Sequence, residues 1–317
     1  MPSPIQSRRE FLNASLALTS AAVAGCVSTH PDSDRAVIDT HTHFYDPTRP
    51  QGVPWPDKND RVLYRTVLPS DYRTLGDRLG VTGTVVVEAS SWVEDNQWIL
   101  DLAQNDPFII GFVGNLKPGQ PEFRSHLARF AKNRLYRGIR IGGGDLKRAV
   151  QRPEVLDDLK RLSDRDLSLD VLIGPDALAD VVELAGRVPD LRIIVDHCAN
   201  VPINEAPLPA AWVDGIVACH YKPNVFMKVS GLVEGTGRTH GDAPSGVQPY
   251  RRVLDTIWGS FGEDRVIYGS NWPVSERFAP LATVQSVVTT YFHEKGEVTS
   301  EKYFRRNAAR VYKTVRR

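Results

Sequence analysis

Two histidines stand at the end of the first apolar run, in the sequence Asp39-Thr40-His41-Thr42-His43. Alternate residues of a β-strand share a face, so Asp39, His41 and His43 are expected to point the same way, toward the interior of the fold. At a rise of about 3.3 Å per residue, the Cβ atoms of the two histidines lie about 6–7 Å apart, and the imidazoles can converge on one ion or one substrate group. Histidines are common at surfaces, but this position predicts that His41 and His43 are catalytic.

A third histidine, His197, ends another apolar run in Ile194-Val195-Asp196-His197. An imidazole titrates near neutral pH, so His197 is a candidate general acid or base; the alternative is a hydrogen bond within the core. If the strand is regular, Asp196 faces the opposite side, and we assign it no catalytic role.

Five other polar residues are candidates for binding a substrate. The paired donors of Arg140 suit a carboxylate or a carbonyl, the alternative being a structural salt bridge. Glu88 ends a strand-like run and could pair with Arg140 or act as a base. Lys228 and Ser230 share a strand face and could contact substrate, or Lys228 could pair with a carboxylate. His240 lies in a glycine-rich loop.

These residues are carried by short apolar, β-branched runs that alternate with helix-like segments such as 155–162 and 177–185. Continuous apolar runs are typical of parallel strands covered on both faces. Eight alternations predict a closed (β/α)₈ TIM barrel, and the rival open sheet loses support because no GxGxxG motif follows the first strand. Two long connections, 44–68 and 233–247, would shape a pocket on the C-terminal face. The predicted strands are 36–43, 82–90, 108–116, 136–143, 167–174, 191–198, 225–232 and 265–272.

Composition narrows the class of protein. The 317-residue chain has a formal net charge of +1 and is 41% hydrophobic. That balance suits a globular protein with a real core and argues against a nucleic-acid binder, which needs a basic stripe. The cysteines Cys26, Cys198 and Cys219 form no CxxC motif, so neither a zinc finger nor a redox pair is supported, and no disulfide is required.

Residues 1–26 have the features of an export signal. Arg8 and Arg9 precede an apolar run, 12–24, that is too short to span a bilayer, and the arginine pair matches the twin-arginine type. The run ends in Val-Ala-Gly-Cys, which looks like a bacterial lipobox and would place a lipid on Cys26. The alternative is a leader that is not lipidated.

The sequence therefore divides into three parts: the signal peptide, a polar flexible tether over 27–35, and a barrel domain over 36–317. We expect an exported bacterial protein that is periplasmic or a membrane-anchored lipoprotein. Membrane contact is expected only through the N-terminal lipid anchor.

Five strand-end motifs together resemble the amidohydrolase superfamily, and most of all its fuconolactonase-like and 2-pyrone-4,6-dicarboxylate hydrolase-like lactonases. The combination is more specific than any single motif, and the resemblance covers nearly all of 36–317. It implies a (β/α)₈ barrel that hydrolyses a lactone or a related ester. The motifs are Asp-x-His-x-His at 39–43, Gly138-Ile139-Arg140, Asp196-His197, Lys228-Val229-Ser230-Gly231 and Gly-Ser-x-Trp-Pro at 269–273.

Two departures from the superfamily bear on the chemistry. Asn271 stands where the superfamily usually has an aspartate, and an amide can orient a water but cannot take up a proton at neutral pH. Metal-dependent members usually carry a fifth-strand histidine, whereas residues 169–173 read Leu-Asp-Val-Leu-Ile. Arg140 also replaces the bridging lysine of many binuclear members. The resemblance therefore implies no cofactor, or one divalent ion such as zinc on His41 and His43.

The resulting hypothesis is that water adds to the carbonyl of a small sugar or carboxylated lactone. Arg140 and the two first-strand histidines would stabilise the oxyanion. Asn271 would position the water, and His197 or Glu88 would act as the base. Two alternatives stay open: a metal-dependent decarboxylase of the same superfamily, and a barrel that binds its ligand without turning it over.

Overall fold

The computed structural model describes residues 36–316. Within them, eight parallel strands pair in the order β1 to β8. The first and last strands meet where Thr42 bridges Trp272 and the His43 N–H donates to the Trp272 carbonyl at 2.9 Å. The predicted (β/α)₈ barrel is confirmed, and only β2 starts outside its predicted run, by one residue. The strands are β1 (Val37–Thr42), β2 (Val81–Val87), β3 (Ile109–Gly114), β4 (Tyr136–Gly142), β5 (Ser168–Leu172), β6 (Arg192–Val195), β7 (Val225–Val229) and β8 (Val266–Tyr268).

Helices fill the connections between these strands and cover the outside of the barrel. In the fifth helix, Pro153 opens the first turn, where its missing N–H costs nothing, and Val155, Leu159 and Leu162 form a buried stripe at helical spacing. The α-helices are α1 (Pro69–Gly76), α2 (Asp95–Asn105), α3 (Phe123–Phe130), α4 (Gly143–Gln151), α5 (Pro153–Asp164), α6 (Leu178–Arg187), α7 (Ala210–His220), α8 (Leu232–Gly235), α9 (Gln248–Phe261), α10 (Leu281–Glu294), α11 (Glu297–Glu301) and α12 (Asn307–Tyr312). Short 3₁₀ helices cover Asp77–Leu79, Pro175–Ala177 and Val274–Arg277, a turn with left-handed backbone covers Asp196–Asn200, and a π-helical turn covers Lys302–Arg306.

The C-terminal helix α12 closes the barrel at the end where the strands begin. Val311 and Tyr312 pack into the same apolar cluster as barrel residues such as Ile194. Arg137, near the start of β4, donates to the Tyr312 carbonyl at 2.8 Å, and Arg192, at the start of β6, donates to the Val311 carbonyl at 2.7 Å. This C-terminal plug seals one end of the interior, so a cavity can open only at the other.

Three further expectations concern the N-terminal segment, membrane-spanning helices and the cysteines. The signal peptide, the tether and Cys26 lie outside the described residues. Between residues 36 and 316, no helix is long and apolar enough to cross a membrane. Cys198 and Cys219 are both buried with free thiols, as expected for small apolar residues.

Candidate active site

A cavity of about 510 Å³ opens at the C-terminal ends of the strands. The structure brings five of the sequence-predicted site residues into its wall: His43, Glu88, Arg140, His197 and Asn271. They come from five different strand ends, which is the usual origin of active-site residues in this barrel fold. As predicted, residues from distant strand ends meet in one cavity.

The end of β1 that leads to His41 and His43 is irregular, because the pairing register of β1 with β2 shifts after Asp39. The carboxylate of Asp39 accepts hydrogen bonds from the Tyr72 hydroxyl at 2.6 Å and from the Ser270 N–H at 2.9 Å. The expectation that Asp39 points the same way as the histidines is therefore wrong, since the strand is not regular. The rings of His41 and His43 do meet, with centroids 5.0 Å apart.

His43 lines the cavity and is held on both sides. Its Nδ1 lies 3.0 Å from the Val87 carbonyl, and its Nε2 lies 3.2 Å from the side-chain amide of Asn271. Burial, and secondarily the positive charge of Arg140, lowers the pKa of His43 to about 3. His43 is therefore a neutral imidazole at physiological pH.

His197 enters the cavity through an unusual backbone. After β6 ends, the four residues 197–200 all have φ between 48° and 56°. Left-handed conformations cost a non-glycine residue about 1–3 kcal/mol each and concentrate at functional sites. The turn brings the His197 ring within 4.3 Å of that of His41, and Asp196 Oδ1 within 3.5 Å of His41 Nδ1. The expectation that Asp196 faces away from His197 is therefore wrong.

A serine fixes the ring of His197. Its Nδ1 lies 2.8 Å from Ser230 Oγ, which leaves Nε2 for a substrate or an ion. Burial outweighs the nearby Asp196 charge and lowers the pKa of His197 to about 4. Ser230 is itself buried and does not line the cavity, so it positions His197 rather than contacting substrate as predicted.

Arg140 and Glu88 form an ion pair within the cavity wall. Arg140 Nε donates to Glu88 Oε1, and Nη2 donates to the Glu88 carbonyl, both at 2.8 Å. Burial opposes the charge of Arg140, but the carboxylates of Glu88, Asp196 and Asp170 together outweigh burial and raise the pKa of Arg140. Of the two roles left open for Glu88, the structure favours pairing over proton abstraction. Arg140 keeps Nη1 as a donor for a ligand.

Beneath the cavity lies a charge cluster, defined here as His41, Asp170, Asp196, Lys228 and Tyr312. Lys228 Nζ donates to Asp170 Oδ2 at 2.6 Å and lies 2.9 Å from Asp196 Oδ1 and 3.2 Å from His41 Nδ1. The Tyr312 hydroxyl of the C-terminal plug also donates to Asp170 Oδ2 at 2.6 Å. Lys228 is fully buried and does not line the cavity, so it pairs with carboxylates rather than with substrate.

Mutual attraction keeps charges inside this cluster. Burial alone would lower the pKa of Lys228, but the two carboxylates outweigh it and raise that pKa. Burial would raise the pKa of Asp196, yet the ammonium group of Lys228 holds it well below its ordinary value. For Asp170 burial wins over Lys228 and raises the pKa to about 6.

The remaining predicted residue, His240, is exposed in the loop after α8 and does not line the cavity. Its prediction as a pocket contributor rested on loop position alone. The loop is long enough that only part of it reaches the site.

Residues 38–314 match the amidohydrolase family across almost the whole described chain. This chain belongs to the amidohydrolase family. An L-fucono-1,5-lactonase from Burkholderia ambifaria is 34% identical over 241 residues, covering 75% of this chain and 80% of that protein. An L-fucono-1,5-lactonase from Burkholderia multivorans is 26% identical over 258 residues, covering 79% and 86%. The family assignment made from the strand-end motifs is thereby confirmed.

A solved structure supports the fold of this amidohydrolase. A Burkholderia multivorans amidohydrolase with bound zinc superposes with a TM-score of 0.80, covering 88% of this chain and 99% of that one. At 24% sequence identity, this likeness bears on the architecture. It agrees with the eight-stranded parallel barrel described above.

The amidohydrolase has one group of side chains that fits a metal ion. Ligand atoms of His41, Asp196 and His197 lie within 4.8 Å of one another. In the described chain, His41 Nε2 and Asp196 Oδ2 are buried without a hydrogen-bond or ion-pair partner, as free ligand atoms would be, whereas Asp196 Oδ1 is paired with Lys228. Three protein ligands suit a catalytic zinc site. The predicted partner His43 does not belong to this group, because protein contacts occupy both of its ring nitrogens.

Sequence reasoning missed Glu234 in the amidohydrolase site. It belongs to the short helix α8, lines the cavity, and its Oε1 lies 2.8 Å from the side-chain nitrogen of Asn271. Its Oε2 is buried and has no partner in the described chain. The available signal was a carboxylate at the start of the long connection 233–247, which was expected to shape the pocket.

Proposed function

We propose that this amidohydrolase opens a small lactone by addition of water. The observation that carries the proposal is one cavity in which neutral His197 faces the guanidinium of Arg140. Together they offer a proton acceptor and a fixed cation, the two things that attack of water on a carbonyl requires. The two relatives described above, both L-fucono-1,5-lactonases, support the same reaction class.

His197 accepts the proton of the attacking water, since its pKa of about 4 leaves it unprotonated at neutral pH. Arg140 stabilises the oxyanion through Nη1, the nitrogen that its hydrogen bonds to Glu88 leave free. This changes the hypothesis made from sequence, because buried neutral His41 and His43 do not supply positive charge. A divalent ion held by His41, Asp196 and His197 would supply Lewis-acid polarisation and a more acidic water, with His197 then a ligand.

The charges of the cavity favour an uncharged sugar lactone over a carboxylated one. Arg140 is already paired with Glu88, and Arg277, the other cavity arginine, is paired with Asp60. A substrate carboxylate would have to compete with those pairs. Trp55 stands over His43 with ring centroids 5.9 Å apart and provides an apolar wall for a sugar ring.

A lactone panel tests the function. The full chain is assayed with L-fucono-1,5-lactone, other aldono-1,5-lactones and carboxylated lactones, each with and without a chelator. We expect uncharged 1,5-lactones to be opened fastest, with the carboxylic acid as the product. Release of carbon dioxide without uptake of water would favour a decarboxylase, and ligand binding without turnover would favour the non-catalytic barrel. Loss of activity with the chelator and recovery with zinc would assign the ion.

We also propose that the protein is exported and anchored by a lipid on Cys26. The support is the paired Arg8 and Arg9, the short apolar run and the lipobox-like ending. Mass spectrometry of the mature protein should find a lipidated N-terminus at Cys26, and Cys26→Ser should release the protein from membranes. A mature protein that begins with Met1 would contradict the proposal.

A further inference from the structure

A line of polar contacts runs from the barrel backbone to a buried carboxyl group. His43 Nδ1 lies 3.0 Å from the Val87 carbonyl, and His43 Nε2 lies 3.2 Å from the Asn271 amide. The other atom of that amide lies 2.8 Å from Glu234 Oε1. Because a carbonyl can only accept, the first contact fixes the hydrogen of His43 on Nδ1.

The positions of the other hydrogens in this line of contacts follow from the hydrogen on His43 Nδ1. A neutral imidazole with its hydrogen on Nδ1 has an accepting Nε2, so Asn271 must donate to it through its NH₂ group. A 180° rotation of an amide exchanges its oxygen and nitrogen, and here it turns the Asn271 oxygen toward Glu234. An oxygen can only accept, so Glu234 must donate and must therefore be protonated. An ionised Glu234 would require the opposite amide orientation, in which two acceptors face each other at His43.

The surroundings of Glu234 suit a protonated carboxyl. Its Oε2 is buried, and no cation of the described chain lies within ion-pair distance. Burial raises the pKa of Glu234 from its ordinary value of 4.5 to about 7.

Other ionisable groups around Glu234 do not account for a change in charge near neutral pH. Across the cavity stand the paired Glu88 and Arg140, Arg277 and neutral His43 and His197. Cys198 and Tyr250 interact electrostatically with Glu234. Burial raises both of their pKa values to about 12. Arginines stay charged throughout.

We propose that Glu234 is a positioning residue that works in its protonated form, directing the Asn271 amide so that its NH₂ group faces His43. This inference rests on the proposed lactone hydrolysis only for its kinetic consequence. When Glu234 loses its proton it accepts from the amide NH₂, the amide turns, and Asn271 and His43 lose the arrangement that the cavity needs. Turnover should therefore fall as pH rises through the ionisation of Glu234.

The shape of the pH–rate profile tests the kinetic consequence. Wild-type kcat for the best lactone should fall about tenfold per pH unit above about pH 7, as expected for one essential proton. Glu234→Gln donates its own NH₂ to the Asn271 oxygen at every pH, so it should lose this alkaline limb. Glu234→Ala provides no donor and should lower kcat at every pH. An alkaline limb that persists in Glu234→Gln, or that is missing from the wild type, would overturn the proposal.

A second readout does not depend on turnover. The side-chain NH₂ resonances of Asn271, identified by their absence in Asn271→Asp, should shift through a transition near pH 7 in the wild type. In Glu234→Gln they should not show that transition. If the transition appears while no lactone is opened, the proposed function fails and the role of Glu234 stands. If lactones are opened while the wild-type resonances show no transition, the role of Glu234 fails alone.

Discussion

Two layers of the same barrel interior differ in how they handle charge. The lower layer is the charge cluster, where Lys228 sits between Asp170 and Asp196 and all three are fully buried. The upper layer is the cavity wall, where burial keeps His43 and His197 neutral. The ends of β1 and β6 contribute to both layers, with His41 and Asp196 below and His43 and His197 one or two residues further along, above. The lower layer therefore contains paired charges, and the upper layer contains neutral proton acceptors.

The difference follows from how each end of the barrel is closed. The C-terminal plug seals the lower end and adds the Tyr312 hydroxyl to Asp170. At the upper end the strands lead into long connections, which leave a cavity of about 510 Å³. A buried charge must be paired, so the charges of the sealed layer neutralise one another, whereas the open layer can leave polar atoms for a ligand. The lower layer should therefore control stability and the upper layer turnover.

Lys228→Met should have the largest effect, and it tests the lower layer. Removing the ammonium leaves two buried carboxylates without a counter-charge, which should cost about 3–5 kcal/mol of unfolding free energy. Urea unfolding measures it. Lys160→Met is the matched control, because its pair with Asp157 is half exposed and should be worth less than about 1 kcal/mol. Equal stability of the two variants would break the distinction between the layers.

Arg140→Ala and His197→Ala test the upper layer. Each should lower kcat/KM by at least about 100-fold, roughly 2.7 kcal/mol of transition-state stabilisation, since one removes the oxyanion donor and the other the base. His240→Ala is the control, because this exposed histidine lies outside the cavity wall and should keep wild-type kinetics. If Arg140→Ala and His197→Ala turned over lactone at the wild-type rate, as His240→Ala should, the assignment of the cavity as the active site would be wrong.

Tyr312→Phe sharpens the boundary between the layers. It removes one hydrogen bond to a buried carboxylate that Lys228 still neutralises, so it should cost about 1.5 kcal/mol of stability. Turnover should change little, since the hydroxyl lies in the sealed layer. Tyr221→Phe removes a hydroxyl from a side chain that is 74% exposed and provides the control. A large fall in kcat with unchanged stability would mean that the plug acts on the chemistry.

Regular strands made most of the fold and much of the cavity wall predictable from sequence. Each apolar run became a strand, and parallel strands end on the same side of a barrel. That is why His43, Arg140 and His197 could be expected to meet although they are far apart in sequence.

The wrong predictions arise where a strand or a turn departs from regular backbone geometry. The contact that was missed joins residues far apart in sequence at the closed end of the barrel. The shifted register of β1 turns Asp39 away, and the left-handed residues 197–200 place Asp196 beside His41. Neither departure leaves a glycine or proline as a signal in the sequence. Tyr312 reaches Asp170 across 142 residues, which no local pattern reveals.

Glu234→Gln should have the smallest effect on stability, because solvent reaches part of this residue, but its dependence on pH is informative. The pKa of Glu234 rises from 4.5 to about 7 on folding, so its protonated form favours the folded state. That stability is fully present below pH 4.5 and is lost as pH rises to about 7, where the folded protein also releases the proton. The melting temperature of Glu234→Gln relative to wild type should therefore increase between these pH values and then level off. Glu205→Gln, which changes an exposed glutamate, is the control, and a difference that stays flat for Glu234→Gln would show that this carboxyl is not held protonated by the cavity wall.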